Sequence, residues 1–340
     1  MKQPKFGLLL LGNRAPDEFI AVVKRAESAG FETAWVADER FYRDCWAQLG
    51  VASQHTSKIG LGTAVTDPYH RHPALTAVSI ATVDEMSDRR AILGLGLGGS
   101  AFKSLGLEKA HPLTVLREAI ELTRELLQGD EVDYRGKAIT FQGRLSVAPA
   151  PHVPIMIATN GAQVMELAGQ IADIVMVQGM ADTPMVTAVL EHVDRGARKA
   201  GRPRPKLIAR LDTCISDDPA AIRRATVPGL TRHLRVHYPG FRSQALAGLQ
   251  IGDELRAAVG LSSYSFEPQD LEKVAPLIPD EFIDRLCLSG SADQVESRIR
   301  KLVAAGVDQI TVFPVSARGE MQVQDATIDA FTSRVMPRFA

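Results

Sequence analysis

Four short stretches of this chain carry residue types that could do chemistry at one shared site: the carboxyl pair Asp38-Glu39, the run from Thr63 through Ala64, Val65 and Thr66 to Asp67, the glycines Gly94, Gly96, Gly98 and Gly99, and Thr159-Asn160-Gly161. Two adjacent carboxyls facing a closed pocket can have one pKa raised toward neutrality, which suits general acid or base work. Glu39 could equally pair with Arg40, Arg43 or Arg71, as charged neighbours often do. Glycines past the end of a strand let a ligand approach the main chain closely, although glycines also serve tight packing inside a small barrel. Asn160-Gly161-Ala162-Gln163 opens a helix straight after a strand, so its first N–H groups face outward and can meet an anion. Two such loops suit a phosphorylated cofactor.

These stretches have to be positioned by the elements around them. Residues 58–99 read as strand, helix, strand: a run rich in Gly, Thr and β-branched residues stops at Asp67-Pro68, a helix follows over Pro73–Met86, and the uniform apolar run 91–97 closes the unit. Such a run suits a parallel strand covered on both faces. The helix is expected to bury Leu75, Val78, Ala81, Thr82 and Met86. Along the whole chain strands are expected at residues 6–11, 33–37, 59–66, 91–97, 154–159, 173–178, 206–215 and 309–315, with helices between them. Residues 131–148 read as a small hairpin, and residues 216–287 as a helical insertion without a convincing strand, including one helix over 243–259. Eight parallel-type strands in this length favour a single α/β domain over residues 1–340, a (β/α)8 TIM barrel carrying these two insertions. On a barrel, chemistry gathers at the carboxyl ends of the strands, which adds Gln178-Gly179 and Thr213 to the candidates.

Composition narrows the class. The chain has 340 residues with 39 basic against 40 acidic side chains and a formal charge of -1, so it carries no polyelectrolyte signal for nucleic acid. The apolar start of the chain is a first strand, too short for a membrane helix. Cys45, Cys214 and Cys287 are scattered and lack metal-site spacing, and read as reduced thiols of a cytoplasmic protein. Gly96-x-Gly98-x-x-Ala101 satisfies a loose dinucleotide fingerprint, but the barrel context argues against that use. His233 and His237 stand four apart with no glutamate between them, so no metal site is expected. His70, His72 and Arg71 could meet a cofactor phosphate or brace their loop.

Three blocks, WVADERF from Trp35, TDPYHRHPALTAVSIATVDEMSDRRAILGLGLG from Thr66 and IMIATNGAQVMELAGQIADIVMVQG from Ile155, resemble in order and spacing the bacterial luciferase-like superfamily. Within it they are most similar to the deazaflavin-dependent oxidoreductases that include methylenetetrahydromethanopterin reductase. The resemblance implies coenzyme F420 lying across the barrel mouth and exchanging hydride at C5 of its ring with a small-molecule substrate. It implies a bulge at Thr63-Ala64-Val65 with a cis Ala64–Val65 bond beneath the ring, Asp38 beside the ring, and Gly96, Gly98, Gly99, Asn160 and Gly161 at the tail. It also implies a homodimer, for which the apolar helices near residues 75–86 and 113–127 could supply a face.

The same comparison of motifs shows departures. The reductases carry an essential glutamate on strand one where this chain has Leu9, and relatives acting on sugar phosphates or alcohols carry a carboxylate and a histidine where this chain has Gly99 and Glu39. None of those substrates transfers directly. The alternatives are an FMN-dependent luciferase-like monooxygenase, and a non-catalytic flavin- or deazaflavin-binding protein.

Overall fold

The computed structural model describes residues 3–39, 41–98, 102–262, 268–316 and 320–339. Short runs, mostly apolar and buried along nearly their whole length, supply β1 (Lys5–Leu10), β2 (Thr33–Val36), β3 (Gly60–Thr63) and β4 (Ala91–Leu95); the largely exposed β5 (Val132–Arg135) and β6 (Thr140–Gly143) follow; and buried runs again supply β7 (Ile155–Ala158), β8 (Ile174–Gln178), β9 (Lys206–Ile215), β10 (Cys287–Gly290) and β11 (Gln309–Pro314). Eight of them pair in parallel in the cyclic order β1-β2-β3-β4-β7-β8-β9-β11, with β11 returning to β1. Helices fill the crossovers, so each strand is covered by the barrel interior on one face and by a helix on the other. The fold is the expected (β/α)8 barrel, and β5 and β6 form the expected antiparallel hairpin.

The longest strand positions much of the site. β9 pairs with β8 up to Gln178↔Arg210, and its last residues, from Asp212 to Ile215, pair instead with β10. It therefore rises past the end of β8 and carries Arg210 and Asp212 to the barrel mouth. The reading of residues 216–287 stopped where β10 starts and expected no strand there. CLSG is four residues long with no alternation, and only its pairing with β9 makes it a strand.

Three helix expectations need correction. In Pro73–Met86 the inward residues are Ala74, Ala77, Ile80 and Ala81, while Leu75 and Met86 are 55% and 41% exposed. Ala74 and Ala77 pack against the following helix and the hairpin, while Ile80 and Ala81 join the barrel core; the helix is wedged between the helices on either side of it and its apolar residues cover more than one face, so spacing alone could not choose. The single helix expected over 243–259 is two, Arg242–Leu246 and Asp253–Leu261, separated at the left-handed Gly248. The apolar residues suggested for a dimer face on Pro112–Leu127 are buried, against the barrel and under the hairpin.

The hairpin is fixed to that helix by one carboxylate. Glu118 accepts hydrogen bonds from the backbone N–H groups of Lys137, Ala138 and Ile139 at 2.7, 2.9 and 2.9 Å. Burial alone would raise its pKa, and the three N–H donors override burial and hold the carboxyl below its ordinary range. A depressed carboxyl contributes stability above its unfolded pKa and loses it as pH falls through the folded value. We expect Glu118→Ala to cost about 2 kcal/mol at neutral pH, and urea unfolding followed from neutral pH downward should show the wild-type advantage shrinking in acid.

Candidate active site

The site starts from a break in the β3–β4 ladder. Strand pairing runs through Gly62↔Ile92, stops, and resumes as a single bridge at Thr66↔Leu95. Across the gap the Thr63 side chain replaces backbone pairing: its Oγ1 donates to Gly94 O at 2.8 Å and accepts from Gly94 N–H at 2.9 Å. The strands are so close that a Cβ on Gly94 would lie 1.9 Å from Thr63 O. Ala64 and Val65 are pushed out of the ladder, their peptide bond is cis, and both line a cleft of about 440 Å³ at the carboxyl ends of the strands. Gly96 keeps that bulge seated, since a Cβ there would lie 2.6 Å from Val65 Cγ2.

Along one side of the cleft lie Asp38, Glu39, Asp67 and Lys109. Burial raises the Asp38 carboxyl above the ordinary range; the Thr66 hydroxyl and the Cys45 thiol pull it down, and the charges of Asp44 and Asp67 push it up. Asp67 is buried and fully engaged, accepting from Tyr69 N–H and His70 N–H and pairing with His70 Nδ1. His70 and its neighbours thus brace the loop. Lys109 Nζ donates to Gly98 O at 3.1 Å; burial lowers its pKa, the Asp67 charge restores part of this and Arg242 opposes it. Gly98 has φ +56 and no room for a side chain against Asp67 and Phe102.

The glycine end continues into the helix Ala162–Ile171. Its N-cap Gly161 makes no side-chain cap bond, so first-turn N–H groups remain open. The Gly161 N–H itself is taken by Thr159 Oγ1 at 3.0 Å, and Asn160 Nδ2 donates to Gln178 O at 2.7 Å. Arg242 approaches this turn, 3.4 Å from where a Gly161 Cβ would lie.

The opposite wall comes from β9 and from the insertion helix Pro219–His237. Arg210, Asp212, Gly229, Arg232, His233 and His237 line it, with Leu9, Met176 and Phe313 between the walls. His233 and His237 pack edge to face at 4.6 Å. Burial holds both below the ordinary histidine range, well below for His233 and to about 4 for His237, so both are neutral at pH 7.

Of the residues expected at the site, Asp38, Glu39, Ala64, Val65, Gly96, Gly98, Thr159, Asn160, Gly161 and Gln178 line the cleft. Thr63 does not: it is fully buried and its hydroxyl belongs to Gly94. Gly179 lies behind the lining, against His233, and Thr213 is buried with its hydroxyl on Leu211 O. Gly99 and the suggested Glu39 partner Arg40 lie outside the described residues. Sequence reading missed Lys109, Arg210, Asp212, Arg232, His233, His237 and Arg242 as lining residues. A signal existed for two of them, because Arg210 and Asp212 are polar at a spacing of two in an otherwise apolar strand and so share a face.

A larger hollow of about 900 Å³ opens at the other end of the barrel. Barrel chemistry gathers at the carboxyl ends, and the smaller cleft is the one that brings together the bulge, the open helix end and the raised carboxyl.

With this geometry in hand, comparison with known proteins is informative. Residues 4–309 match the family model described as luciferase-like monooxygenase. The chain is 32% identical over 310 residues to a 5,10-methylenetetrahydromethanopterin reductase of Archaeoglobus fulgidus, covering 90% of this chain and 92% of that one. It is 27% identical to an F420-dependent glucose-6-phosphate dehydrogenase of Mycobacterium leprae, covering 87% of each. Among solved structures it matches the coenzyme F420-dependent tetrahydromethanopterin reductase from Methanopyrus kandleri with a TM-score of 0.84 and 26% identity, covering 100% of both chains.

Proposed function

The chain belongs to the luciferase-like monooxygenase family, and from that membership we propose that it is a coenzyme F420-dependent oxidoreductase that exchanges a hydride with a small organic substrate. The observation that carries this reading is the cleft itself, with an apolar shelf at Ala64 and Val65 at one point and a cationic, open helix end at another. A flat ring needs the first and an anionic tail needs the second. The residues fit such a cofactor: Ala64, Val65 and Gly96 would seat the ring, while Gly98, Lys109, Asn160, Gly161 and Arg242 would hold the tail.

When bound, the deazaflavin supplies a hydride donor or acceptor at C5. The chain's own residues position, shield and handle protons. Leu9 and Phe313 give the cleft an apolar lining that would disfavour water beside a bound ring. Asp38, with its carboxyl raised by burial, is suited to hold a proton on its oxygen and to exchange it with a substrate atom. Leu9 offers no such proton where the reductases resembled by the sequence have a glutamate, so we propose a substrate other than methylenetetrahydromethanopterin. Glu39 lines the mouth and is the secondary candidate for proton transfer.

Anaerobic titration with F420 and, separately, FMN tests the reading by absorbance and fluorescence. Tight F420 binding followed by hydride exchange is expected; tight FMN binding with oxygen-dependent turnover would replace it with the monooxygenase reading, and binding without exchange would favour a carrier. Replacing Arg242 by Met should weaken F420 about tenfold and leave a tail-less deazaflavin unaffected. Equal loss for both ligands would remove Arg242 from the tail site.

We further infer a cytoplasmic homodimer. Val51, Leu75 and Met86 are exposed apolar side chains on two adjacent helices, Cys45–His55 and Pro73–Met86, and sedimentation of Leu75→Glu beside wild type reads the association directly. Among the described residues no helix is long and apolar enough to cross a membrane.

A further inference from the structure

Resting on the reading that this cleft holds a deazaflavin, we infer that Arg210 and Asp212 recognise a neutral substrate edge in which a carbonyl oxygen stands beside an N–H donor, as in a lactam or a secondary amide. The two residues sit two apart on β9 and both line the cleft. Arg210 Nη1 donates to Asp212 Oδ1 at 2.5 Å, with the side chains 14% and 7% exposed. The guanidinium lies over the Phe313 ring at 4.2 Å, which fixes its plane. Among the described residues Asp212 is the acceptor that Arg210 engages, and a guanidinium has five N–H donors. Nη1 is the donor given to Asp212, and Arg210 keeps others while lining the cleft.

Asp212 is held from behind. The insertion helix approaches it at Gly229, where a Cβ would lie 2.4 Å from Asp212 Oδ2. A residue larger than glycine would displace the carboxylate, so the helix backbone sets where this acceptor stands. A donor and an acceptor are thereby presented side by side, in a fixed plane, on a wall whose two histidines are uncharged at neutral pH.

Charge decides between an anionic and a neutral partner. On β9 the lining offers one cation and one anion that offset each other, Arg210 and Asp212, and Arg232 of the insertion helix is already engaged by a partner of its own. Lys109 and Arg242 stand at the Gly98 and Gly161 end, the end proposed for the cofactor tail. At the β9 wall a carboxylate ligand would gain Arg210 and face Asp212 at the same time. A lactam places its oxygen on Arg210 and its N–H on Asp212 and satisfies both with no uncompensated charge.

The test uses the F420-loaded protein and three probes: δ-valerolactam, its N-methyl derivative and cyclohexanecarboxylate, with dissociation constants from ligand-observed NMR. A site built to hydrogen-bond an N–H rejects the analogue lacking it, so valerolactam should bind about tenfold or more tightly than either of the others. Asp212→Leu should remove that preference while F420 affinity stays within about twofold. Tighter binding of the carboxylate, no effect of N-methylation, or no binding by any probe overturns the inference. If Asp212→Leu fails to fold, the three probes on the unmutated protein still separate these outcomes. Failure of F420 itself to bind is a separate outcome, which strikes the function proposed above and is read before any probe is added.

Discussion

Asp38→Asn should lower the rate of hydride exchange about a hundredfold or more and, at neutral pH, make the cofactor-free protein more stable. Both expectations follow from one environment. Burial, aided by Asp44 and Asp67 and opposed by Thr66 and Cys45, raises the carboxyl. A folded-state pKa above the unfolded value means that the folded chain binds the proton more tightly, so stability falls as pH rises from the unfolded to the folded pKa. At pH 7 that loss is complete if the folded value lies below 7, and partial if it lies above. Asparagine carries no charge, so the substitution removes the loss. Differential scanning calorimetry should show the variant melting higher than wild type at pH 7 and the advantage vanishing in acid. For the reaction the sign is equally definite. A proton donor works in its protonated form, so in the reducing direction the wild-type rate falls as pH rises through the raised pKa, and the variant lacks that limb. A variant that melts higher, keeps its rate and keeps the limb would assign the proton to another group, with Glu39 next to be replaced. The expected pair, a higher melting point with a lower rate, places Asp38 where stability and activity pull in opposite directions.

The parts of this site that could be read from the sequence are those built from local chain. The glycines past β4 stand out as a cluster and the helix opening at Ala162 follows its strand directly, so Gly96 and Gly161 are legible in the local chain, whereas Asp67-Pro68 marks only where the strand stops and the bulge at Ala64 and Val65 is implied by the family resemblance alone. Thr63 shows how the same logic misleads. A polar residue at a strand end resembles a ligand group, yet here the hydroxyl replaces a missing backbone pair to Gly94, and only the register of two strands reveals it. The opposite wall was illegible for another reason. His233 and Arg242 reach the cleft through an insertion whose helices pack across long sequence separations, and helical periodicity says which residues are buried, not against what. Lys109 lies in a loop without a pattern. Arg210 and Asp212 were readable in principle, but polar residues in a strand are usually assigned to its wet face, and a barrel mouth inverts that expectation.

Gly96→Val should raise the F420 dissociation constant at least about a hundredfold, equivalent to roughly 2.7 kcal/mol. The glycine sits behind the bulge, and its N–H donates to Thr66 O at 3.0 Å while Thr66 N–H donates to Gly94 O at 3.1 Å, so the backbone cannot retreat from an added side chain. A Cβ would already lie 2.6 Å from Val65 Cγ2, and two further methyls have no room on that side. The relief available is for Val65 to move into the cleft, onto the surface proposed for the ring. Overpacking of this kind costs about 1–3 kcal/mol of stability, which the folded protein can survive, so affinity and melting must be measured on the same preparation. Gly252→Ala is the matched control, since a Cβ there meets nothing within 4 Å and the residue lies outside the cleft lining; its F420 affinity should equal wild type. If Gly96→Val folds and binds F420 normally, the shelf at Ala64 and Val65 does not seat the ring, and the tail contacts at Lys109 and Arg242 lose the anchor that makes them a cofactor site.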